Sequence, residues 1–577
     1  MKKLNTVLPV LLLSNLLCMM DVSIMTIVLP ELQTAFKISL DDLSWALNIY
    51  TILFATLIIP LGRLAARWGR NRFVLMGLVC FALGSWLTGA ADNLTWLLIG
   101  RAIQSVGAAS IIPTSMVIGL ELSDGQNRNK VVALLAGTQG LAVALGPTIG
   151  GVVAQYWSWR WVFWLNVPLI LIDVVAFALV LPLRNEKRYP NKIDWLGAVL
   201  SMVTLFSLSL ALVKGNSWGW QSRAIIGTLI LACLALAGFI WRELQATSPM
   251  IDPSLFRSRN FNGAGLALVL ANFFLGSLAA LVPTWLTKVH GENELTAALQ
   301  ITPYSLTVMV AVIIGSLLVG KISPKWLVGS GFALIVVSFG FLSRLPLANH
   351  YTMLYIGEVL LGAGFGMVAA TANVLAVADF HGTKLTDSQS VANVFRQVGM
   401  VLAIAIFMTV LTNNLQQARM NTLRYGHQVV NQLDISASTK RTVKSKLTTK
   451  LSAKATTNVN QQVSFSGVKV TPAKRQQLVN QAVADQLALL AKKQGIPVSQ
   501  VPPTVRKTVR TQVAAKVNLA LNQKIAKMNR MLARGINQLH HHLMQQLNRA
   551  FQRTFAFGLP LALLAIGTVV IFKVKQA

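Results

Sequence analysis

The amino-acid sequence predicts an all-α protein that crosses a membrane many times, and three observations predict it. Of the 577 residues, 54% are hydrophobic and only 12% are charged. A soluble protein of this length carries roughly twice that share of charged residues. The mean hydropathy is +0.58, and apolar runs of about 20 residues, each long enough to cross a bilayer as a helix, recur along the chain. We therefore expect a polytopic membrane protein.

Fourteen membrane spans are predicted from these runs. They begin near Val7, Leu43, Phe73, Thr95, Val131, Trp161, Trp195, Ala224, Phe261, Thr296, Trp326, Tyr351, Val391 and Thr554. The first run resembles a signal peptide, but Leu17 before Cys18 is too large for a cleavage site and the run continues to Pro30. We therefore expect an uncleaved first helix.

The distribution of Lys and Arg predicts the orientation. With the N-terminus inside, the cytoplasmic loops and ends hold 20 of these residues and the short external loops hold six. The positive-inside rule then places both termini in the cytoplasm and the protein in the cell membrane. Residues 412–552 carry 22 Lys and Arg against two acids and lie outside by helix parity. Loops longer than about 60 residues escape the charge bias, so this segment does not overturn the topology.

The sequence of residues 412–552 predicts a largely helical, basic extracellular insertion. Four apolar residues continue the thirteenth helix outward: Leu415, Leu423, Val430 and Leu433. Residues 436–472 are rich in Ser, Thr and Lys, so we expect a loop or disorder there, with a small hairpin near 463–470. From Val505 to Phe551 an apolar residue recurs every three or four positions. This spacing predicts a helical stalk or hairpin that runs into the fourteenth span.

A glycine and proline cluster lies inside the fifth span. Gly146, Pro147, Gly150 and Gly151 belong to the run Gly-Pro-Thr-Ile-Gly-Gly, and Trp-Arg-Trp at 159–161 precedes an Asn-Val-Pro sequence. Small residues let membrane helices approach closely, and proline removes one hydrogen bond of the helix. A simple packing seam would explain the glycines but not the Trp-Arg-Trp sequence. The combination closely resembles the antiporter motif of the fourteen-spanner drug:proton antiporters (EmrB/QacA-like) in the major facilitator superfamily.

This resemblance implies a major facilitator fold with 14 transmembrane helices in a 6+2+6 arrangement. It also implies that the four glycine and proline positions form a packing hinge that seals the leak path. The domains expected on this basis are an N-terminal six-helix bundle (1–183), a linker helix pair (184–260), a C-terminal bundle (261–411), the basic insertion (412–552), and the fourteenth span with a cytoplasmic tail (553–577).

The loop between the second and third spans resembles the superfamily's cytoplasmic gating motif. The resemblance rests on Gly62, Arg67, Gly69, Arg70 and Arg72. In the family the glycines permit a tight turn and the charges hold helix ends together. Ala66 stands where the family normally has Asp. We therefore expect the motif itself to lack the acid that would pair across the gate.

Asp21 and Arg101 are the first candidates for proton coupling. Asp21 lies in a run that resembles the family's first-helix motif, and Arg101 lies in a run that resembles its Arg-x-x-Gln-Gly motif, with Ser105 in place of a glycine. A carboxylate inside a membrane helix is costly when ionised, so it is suited to exchange a proton. A buried guanidinium needs a partner. The open alternatives are a carboxyl satisfied by a neighbouring hydroxyl and an arginine with a purely structural role.

Asp173 and Glu358 also fall within predicted spans, although neither belongs to a recognised motif. An acid inside the membrane is a functional hypothesis by default, and a helix–helix hydrogen bond or contact with a polar cavity is the alternative. Residues 296–319 contain no acid, which does not support a preference for dications. We find no nucleotide-binding loop and no metal-ligand cluster. No cofactor is therefore expected, and a proton gradient is the expected energy source.

The function that the resemblance implies is non-enzymatic: proton-coupled export of lipophilic, cationic or neutral drugs by alternating access. Expected partners are small lipophilic substrates and membrane lipids. The basic insertion would attract anionic envelope polymers, or it is a solvated spacer; nucleic acid is disfavoured because interleaved aromatic residues are absent. Two alternatives stay open. One is an exporter or flippase of an anionic lipid or envelope precursor, and the other is an envelope-binding protein in which transport is secondary.

Overall fold

The chain is helical wherever its structure is described. The computed structural model describes residues 2–38, 40–123, 125–184, 186, 188–189, 192–348, 350–432, 437–452, 470–495 and 497–572. Within these ranges the β pairing is limited to an isolated bridge between Val319 and Ile322. The predicted all-α class is therefore confirmed.

Seven helices form the N-terminal part of the chain. They are α1 (Lys2–Phe36), α2 (Leu40–Trp68), α3 (Arg70–Ala90), α4 (Leu94–Glu121), α5 (Gly125–Tyr156), α6 (Trp159–Trp164) and α7 (Asn166–Val180). Asn93 precedes α4 and its side chain accepts a hydrogen bond from the Trp96 backbone N–H at 3.1 Å, which satisfies one free donor of the first turn. Helices α6 and α7 together form one apolar segment, Trp159–Val180.

A helix pair and a second set of helices follow. The pair is α8 (Trp195–Trp218) and α9 (Arg223–Gln245). The second set is α10 (Arg259–Trp285), α11 (Glu294–Gln300), α12 (Thr302–Leu318), α13 (Pro324–Leu342), α14 (Thr352–Ala378) and α15 (Thr383–Gln432). A five-residue π-helical turn, Leu286–His290, extends α10.

Thirteen of the described segments are long and apolar enough to cross a membrane. They correspond to the predicted spans with one exception, the fifth. Helix α5 is not among the thirteen, although it carries no charged residue from Val131 to Tyr156. The fourteenth crossing therefore stays a prediction.

The remaining helices are α16 (Ala437–Ser452), α17 (Pro472–Gln494) and α18 (Pro503–Ile566). Helix α18 has 64 residues and includes the apolar stripe, as predicted, and α15 continues beyond Leu415 to Gln432. The expectation of loop or disorder from residue 436 was wrong for α16. Its apolar Leu447 lies against Gly426 of α15, where a Cβ would meet it at 2.6 Å. The hairpin expected near 463–470 lies outside the described residues, apart from residue 470.

The chain divides into two compact units, residues 1–414 with 548–577 and residues 415–547. Glycines bring helices of the first unit into backbone contact. A Cβ on Gly107 of α4 would lie 2.6 Å from the carbonyl oxygen of Gly77 in α3. In the second unit, the apolar face of α18 is buried at Leu532, Leu539 and Leu543. The apolar stripe is therefore the packing face of that helix.

Candidate functional site

Asp21 and Arg101 meet in the interior of the first unit. Asp21 lies on α1 and Arg101 on α4, and each side chain is 1% exposed. Nη1 of Arg101 donates a hydrogen bond to Oδ2 of Asp21, so the two candidates form a direct ion pair. Hydrogen bonds that join two charged groups are about twice as strong as neutral ones.

Polar groups from α2, α3 and α4 complete this site. Nε2 of Gln104 donates to Oδ1 of Asp21 at 3.0 Å, and it also lies 2.8 Å from Oγ of Ser85. Arg101 donates from Nε to the carbonyl oxygen of Ala46 at 3.2 Å. The guanidinium lies over the Tyr50 ring, 4.5 Å from its centroid. Both carboxylate oxygens of Asp21 thus have a donor, which is what a buried charge requires.

Gln104, Ser85 and Tyr50 were not among the predicted site residues. Gln104 follows Arg101 by three positions, so both side chains lie on one face of α4, and it is the Gln of the motif that the sequence resembles. The motif and the helical spacing could therefore have identified Gln104 from the sequence. The contributions of Ser85 and Tyr50 depend on the rotation of α3 and α2, which hydropathy does not reveal.

Asp173 is buried on α7 and contacts α1 at a different level from Asp21. Oγ of Ser14 donates to Oδ2 of Asp173 at 2.5 Å, while Oδ1 accepts no hydrogen bond from the described residues. Ser14 and Asp21 are seven residues apart, about 10 Å along the helix axis. Asp173 therefore makes a helix–helix hydrogen bond outside the Asp21–Arg101 network.

Glu358 lies on α14 and is completely buried. Neither of its carboxyl oxygens accepts a hydrogen bond of normal geometry from the described residues. Glu358 is not part of the Asp21–Arg101 network either. The four predicted proton-coupling residues therefore form one ion pair and two separate buried acids.

The glycine motif of α5 packs against α1 beside Asp21. A Cβ on Gly146 would lie 1.9 Å from Oγ of Ser23, and one on Gly150 would lie 3.0 Å from Ile24. Helix α5 runs without a break through Pro147 and Gly151. Because the glycines lack side chains, α5 and α1 approach closely two and three residues after Asp21.

The gating-motif residues lie at the ends of α2 and α3. Gly69 has a φ of +111°, a conformation that favours glycine. Arg70 forms an ion pair with Glu121 and donates to Oγ1 of Thr386 at 2.6 Å. Gly62 also faces α15, since a Cβ there would lie 2.5 Å from Oγ of Ser390. The motif therefore connects the N-terminal helices to the start of α15.

Two further motif residues differ in their surroundings. Arg72 donates from Nε to the carbonyl oxygen of Leu183 at 2.5 Å and lies 3.8 Å from Glu186. Burial raises the pKa of Glu186, against the hydrogen bonds from the backbone N–H groups of Asn71 and Arg72 and the positive charge of Arg72. Arg67 is exposed, as is Arg72, so both side chains lie on the surface of the motif.

Asp387 of α15 forms an ion pair with Arg63 of α2, close to the gating-motif residues. Nη2 of Arg63 lies 3.1 Å from Oδ2 of Asp387. Arg63 also donates to the carbonyl oxygens of Met250 and Pro249. Arg63 therefore pairs with an acid from the other half of the chain, and Ala66 contributes none.

A second ion pair lies beside this contact. Lys384 of α15 is 3.2 Å from Asp252 and donates to Oγ of Ser254 at 2.7 Å. Partial burial alone would raise the pKa of Asp252. The hydrogen bonds from Ser254 and Lys384, with the charge of Lys384, outweigh burial and lower that pKa. Both ion pairs thus join α15 to groups that precede it in the chain.

The long apolar helices are those of a multi-pass membrane protein. The family model of the Major Facilitator Superfamily matches residues 11–404, so the chain belongs to that superfamily. Its members are transporters rather than enzymes and generally need no cofactor. Among the described residues, no group of three or more His, Cys, Asp or Glu is placed to hold a metal ion.

Three relatives are named for resistance or export. The chain is 29% identical to the methylenomycin A resistance protein of Bacillus subtilis over 412 residues, 70% of this chain and 86% of that protein. It is 30% identical to multidrug resistance protein 3 of the same organism over 386 residues, 65% of this chain and 73% of that protein. It is 29% identical to the tetracenomycin C resistance and export protein of Streptomyces glaucescens over 350 residues, 60% of this chain and 65% of that protein.

Proposed function

We propose that this protein is a proton-coupled exporter of lipophilic drugs that works by alternating access. The observation that carries the proposal is the buried pair of Asp21 and Arg101, a charged acid and base enclosed between α1 and α4. Membership of a transporter superfamily supports it, as do three relatives whose names refer to antibiotic or multidrug resistance.

The proposed coupling step is protonation of Asp21. A proton taken up from outside forms an O–H bond on the carboxylate, so Arg101 loses the charge that compensates it. Breaking a buried pair by removing one partner costs about 3–5 kcal/mol. Each 1.4 kcal/mol is a factor of ten in an equilibrium constant, so this cost is large enough to favour a different arrangement of the helices. Release of the proton inside restores the pair.

The proposed substrates are lipophilic molecules with at most one positive charge. Helix α12 belongs to the tenth span, in which some multidrug relatives of the family that the sequence resembles have a further acid for dicationic substrates, and α12 contains no acid. A second cationic group on the substrate would have no partner there. The cytoplasm or the inner leaflet is the proposed source of the cargo.

We propose fourteen spans, with α5 as the fifth, and both termini in the cytoplasm. The excess of Lys and Arg in one set of short loops supports this orientation. Helix parity then places residues 415–547 outside the membrane. We also propose that this second unit contacts anionic envelope polymers. Among its described residues no Lys or Arg forms an ion pair with an acid.

The positive charge of the second unit favours one alternative cargo. This cargo is an anionic lipid or envelope precursor that the second unit would receive. Drug export is preferred because the named relatives include drug-resistance proteins and because the Asp21–Arg101 pair offers a means of proton coupling. An envelope-binding protein with secondary transport is the remaining alternative.

The test is efflux of ethidium, a lipophilic cation, from proteoliposomes under an imposed pH gradient. We expect gradient-dependent efflux from the wild-type protein and none from Asp21→Asn. Asp92→Asn is the control, because that carboxylate is 87% exposed and its loss should leave efflux unchanged. No efflux from folded wild-type protein would favour the lipid cargo, and efflux by Asp21→Asn would exclude Asp21 as the coupling site.

A further inference from the structure

The two halves of the protein share a short sequence at the helix that carries Arg101. Residues 97–101 of α4 read Leu-Leu-Ile-Gly-Arg, and residues 354–358 of α14 read Leu-Tyr-Ile-Gly-Glu. Arg101 is the eighth residue of α4, and Glu358 is the seventh residue of α14. The two side chains therefore occupy matching places along their helices, and their charges are opposite.

The packing around the two helices matches as well. Gly107 follows Arg101 by six positions and Gly364 follows Glu358 by six. A Cβ on Gly107 would lie 2.6 Å from the carbonyl oxygen of Gly77 in α3, and one on Gly364 would lie 2.4 Å from that of Gly331 in α13. The pair α3–α4 and the pair α13–α14 are thus equivalent, and Glu358 is the counterpart of Arg101.

The polar groups around Arg101 differ from those around Glu358. Arg101 has Asp21 and Gln104, whereas the residue three positions after Glu358 is Leu361. From α12, Tyr304 faces Glu358 with its backbone N–H, and the Tyr304 hydroxyl is buried without a partner among the described residues. Gly362 confirms the contact between these helices, because a Cβ there would lie 2.7 Å from the carbonyl oxygen of Tyr304.

Among the described residues, no cation of the helices packed against α14 lies at the level of Glu358. Helices α5, α10, α12 and α13 pack along α14, and α15 contacts it where Arg396 donates to Asn373, fifteen residues or about 22 Å along α14 from Glu358. Helix α12 has no charged residue, and the charged residues of α5, α10 and α13 are Arg128, Lys130, Arg259 and Lys325. Each of these lies within the first two turns of its helix. By helix order, those ends are on the opposite side of the membrane from Glu358. On α14 itself the titratable neighbour is Tyr355, whose hydroxyl donates to Gln300.

We propose that Glu358 is a second exchangeable proton site, which would give each half of the transporter one ionisable centre. The proposal rests on the proposed function of proton-coupled export. An ionised carboxylate that no cation balances is costly at this depth, so Glu358 is a neutral acid in this conformation. Its O–H bond breaks when the contact between α12 and α14 loosens and water reaches the carboxyl, and the proton leaves to that water.

The position of Tyr304 suits the ionised form of the acid. Tyr304 is the third residue of α12, and the first backbone N–H groups of a helix have no acceptor within it. These groups and the helix dipole favour negative charge near the N-terminus. Glu358 is therefore enclosed enough to hold a proton and has donors that stabilise the anion once the proton leaves.

The test is infrared difference spectroscopy on the purified full-length protein, between pH values and with and without ethidium. We expect a protonated-carboxyl band that decreases as the pH rises or when ethidium is added. The band should be missing in Glu358→Gln and kept in Asp21→Asn. Glu358→Gln keeps the shape of the neutral acid, and Glu292→Gln is the matched control, because Glu292 accepts a hydrogen bond from Tyr351 at the same end of the helices.

A second measurement counts protons with a pH-sensitive dye. Glu358→Gln should release one proton fewer than the wild type on binding ethidium. A Glu358 band that is constant at every pH and with ethidium would identify a structural acid and overturn the proposal. Loss of ethidium binding at every pH in Glu358→Gln would instead identify a substrate carboxylate. Neither the infrared measurement nor the proton count requires transport. Failure of the efflux assay and failure of this proposal are therefore distinguishable.

Discussion

At the scale of single residues, Gln104 is the side chain that connects the charges of the site. It donates to Asp21 and accepts from Nη1 of Arg101 at 3.0 Å. Leucine at this position fills similar space but leaves Oδ1 of Asp21 without that donor. Loss of a partner from a buried polar group costs about 1–3 kcal/mol, and the charge of Asp21 places the cost at the upper end.

We therefore predict that Gln104→Leu lowers the free energy of unfolding in detergent by about 2–3 kcal/mol and reduces efflux. Gln155→Leu is the matched control, because Gln155 is exposed on α5 and surface substitutions usually change stability by less than about 0.5 kcal/mol. Equal unfolding transitions for the two variants would show that Gln104 does not support the charge of Asp21.

The sequence predicted part of this site. Asp21 and Arg101 were recognisable because membrane helices rarely contain charges and because both lie in motifs. The hydrogen bonds of Ser85 and Ala46 were not predictable, since they require the rotations of α3 and α2, which packing determines. The relation between Arg101 and Glu358 was readable in the repeated Leu-x-Ile-Gly sequence, but only a comparison of the two halves reveals it.

At the scale of helices, the contact between α2 and α15 includes the pair of Arg63 and Asp387. The carboxylate of Asp387 is 2% exposed. Without this charge, Arg63 keeps only the carbonyl oxygens of Met250 and Pro249. The cost of breaking such a pair, about 3 kcal/mol or more, should shift the protein toward a conformation that is open on this side.

We predict that Asp387→Asn increases the labelling rate of a cysteine at Ser390 by a water-soluble maleimide at least tenfold. The measurement uses a background without Cys18, Cys80 and Cys233. Ser390 suits the probe because it lies against Gly62 and is buried. Asp92→Asn, which removes an exposed pair worth about 0–1 kcal/mol, should leave the rate unchanged. No acceleration in Asp387→Asn would mean that the pair does not hold the helices together.

Helix α16 shows where local patterning fails at this scale. Its Ser, Thr and Lys residues favour a loop, and its five basic residues repel one another. Leu447 nevertheless packs at Gly426, and Oγ1 of Thr448 lies 3.4 Å from Nε2 of His427. Tertiary contacts therefore decide the conformation of this segment. Helix α18 was predictable because its apolar residues recur at helical spacing over more than ten turns.

At the scale of the whole molecule, the uneven distribution of charge is the main feature that transport does not explain. The net charge of the chain is +32. Residues 415–547 contain 21 Lys and Arg against two acids, so more than half of the excess lies in the second unit. Four basic residues of α18 are exposed on one side of the helix: Lys524, Lys527, Arg530 and Arg534.

We predict that the full-length protein binds long-chain polyphosphate, used here as a soluble anionic polymer, and that salt weakens the binding. Each basic residue near an anionic surface contributes about 1 kcal/mol. Replacing the four α18 residues with glutamine should therefore lower the affinity roughly a hundredfold or more. Exchange of Lys and Arg at the same positions is the charge-conserving control. Equal affinity of both variants in a titration would contradict the prediction, and binding to anionic vesicles alone would favour a lipid partner.

The order of the helices was predictable throughout the first unit, because burial in a bilayer requires long apolar runs that hydropathy detects. The packing within the second unit was not predictable. It depends on contacts between segments far apart in sequence, such as those of Leu447 and Leu539 with Gly426.

The glycine contacts between neighbouring helices limit how this sequence can change over generations. A methyl group on Gly84 would lie 2.5 Å from the backbone nitrogen of Gln104, a backbone atom that cannot move aside on its own. Gly227 and Gly340 have no atom within 4 Å of the same added group. Glycine should therefore persist among descendants of this chain at Gly84, Gly107 and Gly364, while larger residues accumulate at the two open positions.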